Sequence, residues 1–229
     1  MQKLAEISGC HFDDWTKRIP SGCLVNRDEA ILAACRGKSV LHVGACDAPF
    51  EVEKGKAGKL LHQKVRAVAE RIVGVDIDGP AISALRELGV DDILQANIIS
   101  DDTVLAGQTF DVVLCCDVIE HVGAAGPLLQ ACRRFMHSQS LLIVTTINAT
   151  AIKPALRAVF GREAVHADHV AYYSYGTLGK LLQTEGLHAV EFGVFSYPTV
   201  NPVVGWLSRG LMNAAPGSAD GIMFCARLA

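Results

Sequence analysis

The strongest constraint on this chain is a rhythm of short, almost wholly apolar runs. SVLHV (39–43), RIVGV (71–75), DILQA (92–96), DVVLCC (111–116) and LLIVTT (141–146) are strand-length. Most are apolar on successive residues, which predicts strands covered on both faces, as in a parallel sheet. Helical patterns lie between them. Asn26 and Glu29 have capping-box spacing ahead of AILAACRG, with Gly37 as a stop. Asp78 is placed to cap PAISALRELG, where Pro80 suits the first turn and Gly89 the end. PLLQACRRFM from Pro127 is a further amphipathic stretch, and so is YGTLGKLLQTEG, capped by Ser174 and ended at Gly186. Strands alternating with helices predict βαβ units and an α/β, doubly wound, Rossmann-like sheet.

The end of the chain breaks this rhythm. HAVEFGVFS (188–196) and GIMFCARLA (221–229) read as two strands with no full crossover helix between them, which predicts an antiparallel last strand. Trp206, Leu207, Leu211 and Met212 in the connection have roughly helical spacing. They suit a helix packed on the core, with a lid or a homodimer contact as the alternatives. The expected layout is an N-terminal extension over 1–25 and a single domain over 26–229. Within that domain, 150–180 and 197–220 are read as acceptor-side or lid insertions.

Composition removes several function classes. A formal net charge of −3 leaves no basic footprint, so no nucleic-acid partner is expected. The N-terminal stretch lacks a long apolar region and the longest apolar runs are strand-length, so neither a signal peptide nor a membrane span is expected. Eight cysteines occur without a C-x-x-C pair, which argues against structural zinc. Buried reduced thiols fit better and imply a cytoplasmic location. The sequon Asn148-Ala149-Thr150 is then a chance match.

In open parallel sheets ligands bind beyond the carboxyl ends of the strands, where strand order reverses. The loop after the first apolar run is GACDAP (44–49). A pyrophosphate fingerprint would need glycines where Cys46 and Pro49 stand, which disfavours NAD. A Walker A loop is also absent, because Leu32 holds the first glycine's place and Gly37-Lys38-Ser39 precedes a strand. A nucleoside ligand without phosphates, such as S-adenosylmethionine, needs less glycine. It calls for an acid to receive ribose hydroxyls and a polar edge for adenine. Asp76 ends IVGVD and supplies the first; Asn97 ends LQAN and supplies the second.

The order VLHVGACDAP, IVGVDID, ILQANI, FDVVLCCDVIEHV, LLIVTTIN and HVAYYSYGTLGKLLQTEGL resembles class I S-adenosylmethionine-dependent methyltransferases. Among them it is most similar to the ubiquinone-biosynthesis type and related small-molecule or glycan O-methyltransferases. The resemblance implies a seven-stranded sheet with a reversed final strand. It also implies transfer of a methyl group from S-adenosyl-L-methionine to a hydroxyl of a small-molecule or sugar-containing acceptor, leaving S-adenosyl-L-homocysteine. Cofactor contacts are implied at Gly44, Ala45, Asp47, Asp76, Ile77, Asn97, Ile98, Cys116 and Asp117. N- or C-methylation on the same fold, and a methyltransferase-like binding protein without catalysis, stay open as alternatives.

Three positions depart from the family pattern. His42 replaces an acid that helps hold the cofactor's ammonium group, Cys46 and Ala48 replace glycines, and Asn97 replaces a common Asp. Asp47 is a candidate substitute for the missing acid. For proton removal from an acceptor hydroxyl the candidates are His169, in VHADHVAYYSY, and His121, in DVIEHV. Tyr172, Tyr173 and Tyr175 are candidates to wall the acceptor pocket. His166 and His169 have a spacing that suits metal ligands on a helix, but no third ligand is evident, so no metal is expected. Lys54, Lys56 and Lys59 read as a solvated loop run.

Overall fold

The computed structural model describes residues 3–21, 23–163, 165–197 and 210–229. Its strands are β1 Ala5–Glu6, β2 Ser39–Val43, β3 Arg71–Asp76, β4 Ile93–Gln95, β5 Phe110–Cys116, β6 Met136–Ile147, β7 Leu187–Phe195 and β8 Gly221–Leu228. The helices are α1 Arg27–Cys35, α2 Glu51–Lys56, α3 Leu61–Arg66, α4 Gly79–Glu87, α5 Ala125–Arg133, α6 Ile152–Val159 and α7 Tyr175–Thr184. One sheet runs in the order β1-β7-β8-β6-β5-β2-β3-β4. β2 pairs in parallel with both β3 and β5, and β8 lies antiparallel between β6 and β7. The doubly wound sheet with a reversed last strand therefore holds.

Among the described residues the strand count is eight where seven were expected. Ala5 and Glu6 add a short antiparallel edge to β7, and a two-residue strand carries no readable pattern. The N-terminal stretch also contributes to the core: Phe12 is buried and meets Tyr175 and Phe224 edge-on. Trp206 and Leu207 lie outside the described residues, while Met212 is buried and Leu211 exposed.

The continuous apolar runs follow from burial on both faces. Along β5, Val113 and Cys115 join the core shared with α5 and α7, while Val112, Leu114 and Cys116 join the one shared with α1 and α3. The helix stops and starts fall close to their sequence signals. Asn26 Oδ1 accepts from the Glu29 amide, Asp78 Oδ1 from the Ala81 amide, and Ser174 forms a full capping box with Thr177. The lysine run is a correction. Lys54 and Lys56 sit on α2 rather than in a loop, on a six-residue helix too short for periodicity to show. Asn148 of the sequon is buried, donating to the Gly217 and Ala219 carbonyls, so its amide is out of reach in the folded chain.

Candidate functional site

β2 and β5 are the adjacent strands from which the sheet is wound in opposite directions, and a cavity of about 740 Å3 opens beyond their carboxyl ends. Gly44 leaves β2 with φ +70°, and a β-carbon there would overlap Val118 Cγ2. Only glycine lets the loop pass so close to the β5 exit. From β3, Asp76 accepts from the Cys46 amide (2.9 Å) through Oδ2 and from the Asp78 amide (3.0 Å) through Oδ1. Its carboxylate is thus fixed in place with lone pairs left for a ligand.

Gly44, Ala45, Asp47, Asp76, Ile77, Cys116 and Asp117, all expected from the sequence, line this cavity. Asn97 and Ile98 are not brought to it. Asn97 Oδ1 turns back to the Ile99 amide and Ile98 is buried in the core. Asp47 forms an ion pair with Lys54 at 2.6 Å, so its charge is already answered.

Sequence reasoning missed Arg27. It opens α1, and its guanidinium reaches Asp117 Oδ2 (2.7 Å), Thr145 Oγ1 and Asp28. Burial alone would lower its pKa, but Asp117 and the neighbouring acids raise it, so Arg27 stays a fixed cation in the cavity wall. Asp117 also accepts from Thr145 Oγ1 (2.9 Å) and has φ +54°, a left-handed conformation costly for a non-glycine residue. Two neighbours hold it in that state at the cavity edge.

His42, in the place of the family's acid, is also in the cavity wall and is buried. Its Nδ1 lies 3.3 Å from Nδ1 of the buried His62, whose Nε2 is 3.1 Å from Asp92 Oδ1. Gly74, paired with His42 across the sheet, makes the room, since a β-carbon there would stand 2.9 Å from His62 Cε1. Burial raises the Asp92 carboxyl, but the hydrogen bond from His62, with the charge of Arg66, brings it below its ordinary range. An ionised Asp92 accepts from His62 Nε2–H. With both rings neutral, His62 Nδ1 then accepts from His42 Nδ1–H, leaving His42 Nε2 as a bare acceptor.

Burial first, then the neighbouring His62 and the charge of Arg27, push the His42 pKa well below 6.5. Above pH 6.5 folded and unfolded chains are both neutral at this ring. Below it the unfolded chain takes a proton that the folded chain refuses, so stability falls, by at most about 1.4 kcal/mol per pH unit. The melting temperature should therefore drop less between pH 7.5 and 5.5 in His42→Gln than in the parent chain. Parallel curves would refute this account of the ring.

On the opposite wall, a short 3-10 turn at Ile119–His121 follows β5. The Glu120 carbonyl accepts from the Val170 amide (2.9 Å) and the Ala171 amide (3.2 Å), which draws the 166–171 segment over the cavity. His121, His166 and His169 thereby converge, with ring centroids 4.6 to 5.8 Å apart. The expectation that no third imidazole joins His166 and His169 is corrected, because His121 is 45 residues upstream and only the fold brings it there. The 166–169 segment is also a turn rather than a helix. Glu120, buried and with Oε2 unpartnered, has its carboxyl pushed up to about 7 by burial and by Asp117.

The expected tyrosine wall is not there. Tyr175 is buried among Phe12, Phe192 and Phe224, because it opens α7 on the face turned to the sheet. Tyr173 ties its carbonyl to the Ala149 amide, and Tyr172 lies 6.2 Å from His169 outside the cavity lining. Tyr197, just after β7, and Phe50 are the aromatic side chains in the wall.

Residues 53–144 match a family described as a methyltransferase domain. A ubiquinone biosynthesis O-methyltransferase of Rhizobium etli is 31% identical over 115 residues, 48% of this chain and 46% of that protein. One of Glaesserella parasuis is 25% identical over 142 residues, 56% of this chain and 53% of that protein. The chain thus spans about half the length of these curated relatives. Among solved structures, a SAM-dependent methyltransferase from Archaeoglobus fulgidus superposes with a TM-score of 0.58 at 17% identity, covering 88% of this chain and 91% of that one. A magnesium protoporphyrin IX methyltransferase from Synechocystis with bound SAH gives 0.56 at 13%, covering 89% and 82%. The matched segment, the strand order and the strand-end site agree: this chain has the fold of the class I S-adenosylmethionine-dependent methyltransferases and is similar to them over the matched segment.

Proposed function

We propose that this protein transfers the methyl group of S-adenosyl-L-methionine to a hydroxyl of a small-molecule or sugar-containing acceptor. The observation that carries the reading is Asp76, a carboxylate pinned by two backbone amides in the wall of the cavity that Gly44 also lines. The other residues present suit the same cofactor. Ile77, 71% exposed beside Asp76, offers an apolar surface to adenine. Arg27 is the fixed cation for the methionine carboxylate. The bare Nε2 of His42 is the acceptor for the ammonium group, so a tautomer-fixed imidazole does the work of the missing acid. Asp47 is spared that role by Lys54.

When bound, the cofactor supplies an electrophilic methyl group on a sulfonium. The protein has to orient the acceptor and manage its hydroxyl proton. His169 and His121, with His166 and Glu120, form the polar wall available for this. Burial first, then the nearby His121 and His166, lower the His169 pKa and favour its neutral form. About 740 Å3 lies in the range of small-molecule sites and must serve both ligands, which favours a compact acceptor. Seven buried, free thiols fit a reducing compartment. Among the described residues no helix is long and apolar enough to cross a membrane.

The test is release of S-adenosylhomocysteine with a panel of phenols, catechols and sugar hydroxyls. Turnover with a hydroxyl acceptor supports the reading. Cofactor binding without turnover on any of them would replace it with a binding protein of the same fold.

A further inference from the structure

Three imidazoles face one another across the cavity wall, and the role of a lone general base accounts for one of them. His121 comes from the turn after β5, and His166 and His169 come from the segment hung on the Glu120 carbonyl. One ring nitrogen from each lies within 4.8 Å of the others. His169 Nδ1 is buried with no hydrogen-bond partner, an unfavourable state for an imidazole nitrogen. His121 and His166 are exposed side chains, and His166 Nδ1 accepts from the Asp168 amide at 3.3 Å, which leaves its Nε2 edge open. Zinc–nitrogen bonds of about 2.0–2.1 Å require each ring to close by only about an ångström from this arrangement.

We propose that His121, His166 and His169 bind a divalent transition-metal ion of the zinc class, with a fourth position open to an oxygen ligand. Three neutral nitrogens without a thiolate or a carboxylate select zinc, cobalt or nickel over magnesium or calcium. The surroundings favour a cation. Asp168 and Glu120 line the same cavity, the charge of Asp117 being taken by Arg27, and the Asp168 amide donates to His166 Nδ1 at 3.3 Å while its carboxylate lies 3.7 Å from that atom. Three protein ligands with an open corner are the pattern of reactive rather than structural zinc. The open corner faces the cavity, so its natural ligand is water or an acceptor hydroxyl. A bound hydroxyl loses its proton more readily, here to water in the open cavity mouth. The three histidines then act together as ligands, and none of them is the base. The ion's binding stands on the histidine geometry alone; its role in catalysis rests on the methyl-transfer reading above.

The test uses the full chain, stripped with a chelator and titrated with Zn2+ and Co2+. One equivalent should bind at micromolar affinity or tighter, with the visible absorption of four-coordinate cobalt. His169→Ala and His166→Gln should each weaken binding by at least about 100-fold, beyond the loss typical of an outer-sphere partner. Circular dichroism melts of both variants separate ion loss from misfolding. Asp76→Ala should keep full metal affinity while losing the cofactor, so failure of the cofactor site and failure of the metal site are told apart. Absence of stoichiometric binding, or affinity unchanged in the folded histidine variants, overturns the site. If chelation leaves turnover untouched, the histidines act as bases and the catalytic role falls.

Discussion

Asp76→Ala should bind S-adenosylhomocysteine at least about 100-fold more weakly than the parent chain, taking roughly 1.5–3 kcal/mol for each of two charge-assisted hydrogen bonds to ribose. The carboxylate has two duties. It accepts from the Cys46 and Asp78 amides, and in the proposed complex its remaining lone pairs receive the ribose hydroxyls. Alanine removes both, so a modest loss of melting temperature is expected from two amides left to solvent. Asp76→Asn separates the duties. It keeps a group of the same size and can still accept one amide, but it lacks the charge and turns a donor toward the other. Its melting temperature should lie nearer the parent value while its affinity stays low. Calorimetric titration of both variants reads the result directly, and parent-like affinity in Asp76→Ala would remove the strand-end carboxylate from the site.

Much of the scaffold was legible because its signals are local. Asn26, Asp78 and Ser174 each cap a helix within three residues of their own positions, and β2 and β5 declare themselves by almost wholly apolar runs. β1 was not legible, because two residues on a sheet edge owe their conformation to β7 and not to their own pattern. The site divides in the same way. Gly44, Asp76 and Asp117 sit at strand ends that the sequence marks. Arg27 reaches Asp117 from 90 residues away and nothing in its own segment distinguishes it from a solvated helix start. His42 could be seen as a departure from the family, yet His62 and Asp92, which settle its tautomer, lie 20 and 50 residues downstream. The tyrosines mislead for a related reason. Tyr175 follows a capping serine, so its face is set by the phase of α7, and that phase turns it into the core. Asn97 lies two residues past the end of β4, and its Oδ1 turns back to accept from the Ile99 amide.

Gly44→Ala should both destabilise the fold and close the cofactor site, and the two costs can be pulled apart. The first is conformational: at φ +70° an L-residue gives up roughly 1–2 kcal/mol. The second is steric, since the new methyl group would overlap Val118 Cγ2. Val118 is β-branched and cannot simply swing away, so relief needs a shift of the turn that carries Asp117 and Glu120, at about 1–3 kcal/mol. The sum is about 2–5 kcal/mol, a large share of a domain's stability. Val118→Ala in the same chain removes the Cγ2 contact but leaves the backbone strain. The double variant should therefore regain part of the melting temperature and a measurable affinity for S-adenosylhomocysteine. If the double variant is no better than Gly44→Ala, close passage beside Val118 is not what fixes glycine at this position. If Gly44→Ala itself binds and melts like the parent, the loop after β2 does not need the geometry on which the cofactor site is built.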